Sequence, residues 1–103
     1  MTLWIGVAEC SLRLLYSGSL KERRHVVRSI LDGVRNRFSL STSDLGPADK
    51  WQDADLGFVG AGSSPSELEE RLRNLESFLA RKEGEGEFEI VRFDWEVFAY
   101  GDL

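Results

Sequence analysis

Cysteine, proline and histidine are scarce in this chain, and each shortage excludes a class of protein. The 103 residues include one cysteine, two prolines and one histidine. A lone Cys10 cannot close an internal disulfide, which excludes a disulfide-dense mini-protein. With so few prolines and a hydrophobic content of 42%, the sequence is neither collagen-like nor a disordered tail. We therefore expect one domain over residues 1–103, long enough to bury its own core.

Long apolar runs are also missing. No segment approaches the roughly 18 apolar residues of a membrane-spanning helix, and the N-terminus lacks the basic region and apolar run of a signal peptide. Cys10 lies in an apolar stretch, where a buried small hydrophobe is the favoured interpretation and a reactive thiol the alternative. These absences predict a cytoplasmic protein without membrane association.

Net positive charge is absent too, but the charges are unevenly placed. Thirteen Lys and Arg oppose eighteen Asp and Glu, for a net charge of −5, so we expect no general binding to DNA or acidic membrane. Residues 1–40 nevertheless carry seven basic residues against three acidic ones, +4, whereas residues 41–103 carry six against fifteen, −9. An anionic partner is therefore expected to meet the N-terminal half.

Hydrophobic periodicity and turn residues predict four strands and two helices. Ser19 with Glu22, and Ser64 with Glu67, form capping boxes at the two helix starts, with Pro65 at the first position of the second helix. A change of alternation in the last strand predicts a bulge near Val91. Residues 60–63 are expected to form a loop, and Gly84 to end the second helix. The predicted strands span residues 3–16, 38–44, 53–61 and 88–100.

The order β-α-β-β-α-β predicts a ferredoxin-like α+β fold, a four-stranded antiparallel sheet with two helices on one face. From right-handed crossovers we further expect the first and third strands to be parallel neighbours. Both helix N-termini are then expected at one end of the sheet, and the turn that contains Trp51 at the other.

The first helix carries the strongest candidate site. A row of cations spaced about one turn apart can follow a phosphate backbone. A solvated helix face, partly neutralised by Glu22 and Asp32, is the alternative. At about 100° per residue, four of the cations fall within roughly 60° of one another: Lys21, Arg24, Arg28 and Arg35. The predicted anion-binding set adds two neighbours, Arg23 and Arg37.

The strands predict a second surface, for self-association. Two helices cover one side of the sheet, yet the first strand is apolar on both sides and the last carries aromatic residues. Because a large bare apolar face is unusual in a soluble monomer, we expect a homodimer formed through Trp4, Trp95 and Phe98. Single bulky residues shielded by long side chains are the alternative. Base stacking on the sheet is disfavoured, because the third strand lacks the later aromatic and the leading basic residue of an RNA-recognition motif.

Residues that would support catalysis or metal binding are few. His25 falls on the polar side of the first helix, and no Cys/His cluster has metal-ligand spacing. The glycines at 60 and 62 lack the third glycine or the lysine of a phosphate-binding loop. We therefore expect neither enzymatic activity nor a cofactor.

Two motifs resemble those of the YlxP-like family of small bacterial proteins. They are SLKERR at residues 19–24 and DKWQDA at residues 49–54. Lys50 stands at a position that is usually apolar in the family, and Asp53 where arginine is usual. The resemblance implies a ferredoxin-like fold. It also implies a ribosome-associated or RNA-associated role, because such genes commonly lie beside those of translation and ribosome-maturation factors.

Together these observations predict a non-enzymatic cytoplasmic factor that contacts ribosomal RNA or the small ribosomal subunit through the first helix. The alternative is a homodimeric protein-interaction module without nucleic-acid contact, which the acidity of the whole chain favours.

Overall fold

Strands and helices alternate along the chain in the predicted order. The computed structural model describes residues 1–101. Its elements are β1 (Trp4–Leu14), α1 (Leu20–Arg37), β2 (Ser41–Gly46), β3 (Asp53–Gly62), α2 (Pro65–Glu83) and β4 (Phe88–Ala99).

The four strands form one sheet in the order β2-β3-β1-β4, and every neighbouring pair is antiparallel. Both helices pack on the same face of this sheet, α2 against β4, β1 and β3, and α1 against β2. The ferredoxin-like α+β fold class is therefore confirmed.

Strand direction corrects one of our expectations. β1 and β3 are antiparallel neighbours, with Val7 opposite Val59. The α1 crossover makes β1 and β2 parallel to each other. β3 follows β2 through a turn and runs in the opposite direction, so it is antiparallel to both β2 and β1. The helices consequently begin at opposite ends of the sheet. The backbone N–H of Leu14 donates to the carbonyl of Gln52 at 2.8 Å, which places the turn with Trp51 at the end where α1 begins.

Several strand boundaries also differ from prediction, by one to three residues. β2 begins at Ser41 because Phe38 caps α1, donating its backbone N–H to the carbonyl of Val34 at 2.9 Å. Residues 60–62, predicted as part of a loop, continue β3 and pair with β1, Gly60 opposite Gly6. Gly60 permits the close approach of Leu40, because a Cβ at position 60 would lie 2.7 Å from Cδ2 of Leu40.

The core lies between the helices and the sheet. α2 contributes a stripe at helical spacing, and burial of each such side chain is worth about 1.5–3 kcal/mol. The buried residues of α2 are Leu68, Leu72, Leu75, Phe78 and Leu79.

In the described residues 1–101, neither helix has the length and apolar content needed to cross a bilayer.

The predicted bulge in β4 is confirmed. Ser11 of β1 pairs with Arg92, whereas the next residue, Leu12, pairs with Ile90. Val91 is therefore the extra residue, and its side chain is exposed. The bulge keeps Ile90 and Phe93 on the same, helix-facing side of the sheet although they are three positions apart.

Candidate nucleic-acid interface

The predicted capping box fixes the start of α1. Oγ of Ser19 accepts a hydrogen bond from the backbone N–H of Glu22 at 3.1 Å, and the carboxylate of Glu22 accepts one from the N–H of Gly18 at 2.9 Å. These contacts occupy backbone donors that a phosphate at a helix N-terminus would otherwise use. The carboxylate of Glu22 at the same place repels a phosphate, so the charged side chains of α1 are the better candidates for an anion contact.

Three cations of α1 form what we call the basic stripe: Lys21, Arg24 and Arg28. All three are exposed, because the opposite side of the helix carries the apolar residues that pack on the sheet. In the part of the chain that the structure describes, no salt bridge or side-chain hydrogen bond joins them to another residue. Their charges are therefore available to an anionic partner.

Arg23 does not belong to this stripe, which corrects its placement in the predicted anion-binding set. Its side chain is 6% exposed. The guanidinium donates to both carboxylate oxygens of Asp44, at 2.8 and 3.0 Å, and its Nε donates to the carbonyl of Asp53 at 2.9 Å. Arg23 therefore ties α1 to β2 and β3. The signal was in the sequence, because Arg23 precedes the buried Val27 by four residues and Ile30 by seven.

Arg35 and Arg37 are exposed but engaged. Arg35 donates to the carboxylate of Asp32, and also to Oγ1 of Thr42 at 3.1 Å. The guanidinium of Arg37 lies over the ring of Phe78, 5.0 Å from its centroid. Since Asp32 lies between Arg28 and Arg35 along the helix, it interrupts the predicted row and leaves the basic stripe in the first half of α1.

A cavity of about 560 Å³ lies beside the basic stripe, at the start of α1. Its lining includes Lys21 of the stripe together with Tyr16, His25 and Glu87. Tyr16 is 80% exposed, and His25 is exposed as its position on the polar side of the helix predicted. An open aromatic ring next to a cation offers a surface on which an unpaired base can stack.

The three residues predicted for self-association do not share a surface. In the β1–β4 register Trp4 pairs with Ala99 and Trp95 with Ala8, on the helix-facing side, whereas Phe98 pairs with Ile5 on the opposite side. Trp95 packs against the core, with Arg73 5.5 Å from its ring centroid. Of the three residues predicted for self-association, Phe98 alone lies on the side of the sheet that the helices leave uncovered.

Cys10 is buried in β1, as the favoured interpretation of the sequence predicted. Burial raises the pKa of its thiol to about 12, and the nearby carboxylate of Glu83 adds to the shift. The thiol therefore stays protonated at neutral pH and is a poor nucleophile. Within residues 1–101, no three His, Cys, Asp or Glu side chains are grouped so as to hold a metal ion.

Comparison with known proteins places the chain in a family. Residues 5–95 match a family described as "Protein of unknown function (DUF503)". The chain belongs to the DUF503 family. It is 37% identical over 91 residues to the "Uncharacterized protein YlxP" of Bacillus subtilis (strain 168), an alignment that covers 88% of this chain and 98% of the relative. The YlxP-like resemblance inferred from the two motifs is thereby confirmed.

The sequence analysis of this DUF503 protein did not predict a cluster of three carboxylates on the sheet. Glu9 of β1 pairs with Asp94 of β4, and Val7 pairs with Glu96, all on the side of the sheet away from the helices. The local signal was the alternation of Asp94 and Glu96 with the inward-facing Trp95. Their proximity to Glu9 depends on strand register, which the local pattern does not provide.

Proposed function

We propose that this protein is a non-enzymatic, cytoplasmic RNA-binding factor that contacts phosphates through the basic stripe of α1. The observation that carries the proposal is the exposure of Lys21, Arg24 and Arg28 together, without a carboxylate partner in the described residues. The stripe extends over about 10 Å of helix axis, enough to reach successive phosphates of one strand.

The distribution of charge over the molecule supports RNA binding on the side of α1. α1 carries six basic residues against two acidic ones, for +4, although the whole chain carries −5. Glu9, Asp94 and Glu96 lie on the opposite side of the molecule and repel a polyanion there. An RNA is therefore directed to the helix layer.

The cavity beside Lys21 favours single-stranded RNA. An unpaired base could stack on Tyr16 while neighbouring phosphates contact the stripe, an arrangement that duplex RNA, with its bases paired, does not permit. The gene neighbourhood implied by the family resemblance favours ribosomal RNA, within the small ribosomal subunit or an assembly intermediate, as the target.

Self-association remains the alternative hypothesis. The apolar residues Ile5, Val59 and Phe98 on the uncovered side of the sheet support it. The positions of Trp4 and Trp95 on the covered side weaken it, so RNA binding is the function that we adopt. Light scattering on the purified protein distinguishes a monomer from a dimer.

The direct test is charge reversal in the stripe. We expect the Arg24→Glu/Arg28→Glu variant to bind a fluorescein-labelled single-stranded ribosomal RNA fragment at least about tenfold more weakly than the wild type, because two phosphate contacts become repulsive. For the wild type, log K should fall with log salt with a slope of roughly −2, from three contacts at about −0.7 each. Fluorescence anisotropy at several salt concentrations measures both quantities.

The matched control is Arg13→Glu/Arg73→Glu, which changes the net charge by the same amount away from α1. This variant should retain most of the affinity and should co-sediment with 30S subunits as the wild type does. Unchanged binding by Arg24→Glu/Arg28→Glu, or equal weakening by the control, contradicts the proposal. Circular dichroism confirms that each variant is folded.

A further inference from the structure

The side of the sheet away from the helices, which we call the open face, is ordered in rows across the strands. One row consists of Ser41, Val59, Val7 and Glu96, from β2 to β4. The next row consists of Ser43, Gly57, Glu9 and Asp94. The open face is therefore apolar or lacks side chains at Val7, Gly57 and Val59, whereas Glu9, Asp94 and Glu96 make its β1–β4 side acidic.

A groove of about 560 Å³ runs over these two rows. Gly57 forms part of its floor, and the side chain of Leu45 lies directly above that glycine, where a Cβ would approach Cδ1 of Leu45 to 3.2 Å. Val59 and Leu45 are 47% and 54% exposed, so the groove presents aliphatic surface to solvent. Such a groove can hold the apolar side chains of a bound segment.

The acidic wall of the groove keeps a net negative charge. Arg92 contacts Asp94 at 2.8 Å and Glu9 at 3.4 Å, whereas Glu96 has no salt-bridge partner among residues 1–101. Three carboxylates against one guanidinium leave a charge of −2 beside the apolar floor. A ligand that fills this groove must therefore supply both apolar and cationic groups.

Charge also decides between the candidate occupants. In a two-fold dimer through the open face, the same patch supplies both sides of the interface, so neither copy offers a net positive charge to the acidic wall of the other. An RNA would place its phosphates against the same carboxylates. A basic protein segment is the occupant whose charge is complementary to the acidic wall.

We propose that the open face binds a basic, extended segment of a partner protein. An aliphatic side chain of that segment occupies the groove beside Leu45, over Val7 and Val59, and flanking Lys or Arg side chains pair with Glu96 and Asp94. This site is separate from the basic stripe, so the protein can hold an RNA on its helix layer and a basic protein segment on its sheet.

The test uses two fluorescein-labelled peptides of seven residues, Lys-Ser-Val-Ser-Val-Ser-Lys and Glu-Ser-Val-Ser-Val-Ser-Glu, which we call the Lys/Val and Glu/Val peptides. Because side chains two positions apart lie on the same side of an extended chain, the Val and the charged side chains of each peptide can face the sheet together. We expect binding of the Lys/Val peptide alone, measured by fluorescence anisotropy at low salt. The Asp94→Lys/Glu96→Lys variant should weaken this binding at least about tenfold, because like charges then face each other.

Two further variants make the result specific. Glu70→Lys/Glu76→Lys changes the net charge by the same amount on the exposed side of α2 and should retain the affinity of the wild type. Val59→Ser, which removes aliphatic surface from the groove and leaves every charge in place, should also weaken binding.

Three results would overturn the proposal. These are equal binding of the Glu/Val peptide, equal weakening by the control on α2, and a stable dimer that Val59→Lys dissociates, since a second copy would then occupy the face. The Arg24→Glu/Arg28→Glu variant should bind the Lys/Val peptide normally, so a failure of RNA binding is distinguishable from a failure at the open face.

Discussion

At the scale of single residues, Arg23 is the cation of α1 that serves the fold. At about 100° per residue it lies about 20° from the buried Val34, so its side chain emerges towards the sheet. There it meets Asp44 of β2 and the carbonyl of Asp53 of β3. The hydrogen bonds from Arg23 lower the pKa of Asp44, helped by the backbone N–H of Gly46 and opposed by partial burial.

Replacing this carboxylate should change both stability and its dependence on pH. We expect Asp44→Asn to lower the free energy of unfolding at pH 7 by about 1 kcal/mol, because Arg23 keeps a weaker, neutral acceptor and solvent screens the half-exposed partner. Since the folded state lowers the pKa of Asp44, the stabilisation is present above the ordinary pKa of aspartate, about 4, and is lost as pH falls through the folded value.

Urea denaturation at several values between pH 3 and pH 7 checks this prediction. The wild type should lose more stability than Asp44→Asn over that range, and RNA affinity at pH 7 should be the same for both. Parallel pH profiles for the two proteins would show that the Arg23–Asp44 pair does not contribute in the way described.

At the scale of elements, contacts between chain segments decide where the strands begin and end. Residues 60–62 have the composition of a loop, yet they extend β3 because they pair with the start of β1. The absence of a side chain at Gly60 lets Leu40 reach the core at the start of β2. Glycine is thus required here by a close approach of two segments.

A methyl group at this position should be costly. Gly60→Ala would place a Cβ 2.7 Å from Leu40 Cδ2 and 3.0 Å from a guanidinium nitrogen of Arg71. We expect a loss of about 1–3 kcal/mol in the free energy of unfolding, typical of overpacking in a core. Thermal or urea denaturation measures it.

Gly18→Ala serves as the comparison for that measurement. The nearest atom to a Cβ at Gly18 is a carboxylate oxygen of Glu22, at 3.8 Å, and the backbone N–H that caps α1 is retained. This variant should stay within about 0.5 kcal/mol of the wild type. If Gly60→Ala is equally mild, Leu40 can move away and the packing at the start of β2 is looser than described.

Local sequence signals predicted the elements well because each signal is carried by adjacent residues. Ser19 with Glu22 and Gly84 mark helix ends through contacts within a few positions, and the change of alternation at Val91 reports the bulge directly. Strand direction, the register that unites Glu9 with Asp94, and the partner of Arg23 depend on residues distant in the chain. The predicted anion-binding set therefore included Arg23 as a neighbour of the aligned cations, although its spacing from Val27 and Ile30 places it on the buried side of α1.

At the scale of the whole molecule, the two layers carry opposite charges. The basic stripe lies on the helix layer, and the carboxylates of Glu9, Asp94 and Glu96 lie on the open face of the sheet. The net charge of −5 conceals this separation. A partner approaching the protein meets a field that depends on the side from which it arrives.

Chromatography tests this separation directly. At pH 7 and low salt we expect the protein to be retained on heparin, a polyanion, despite its net negative charge, because the basic stripe is locally uncompensated. Arg24→Glu/Arg28→Glu should elute at much lower salt, whereas Arg13→Glu/Arg73→Glu should elute close to the wild type. Passage of the wild type through the column without retention would show that the acidic remainder dominates.

The bulge at Val91 affects how readily β4 can pair with strands of other molecules. β4 is an outer strand of twelve residues, and a flat outer strand of that length would offer its unpaired backbone groups to strands of other molecules. The extra residue bends and twists this edge of the sheet. Because a bent edge pairs poorly with a regular strand, aggregation by strand pairing along β4 is impeded. Deletion of Val91 would straighten the edge, and we expect the variant to lose solubility while keeping its fold.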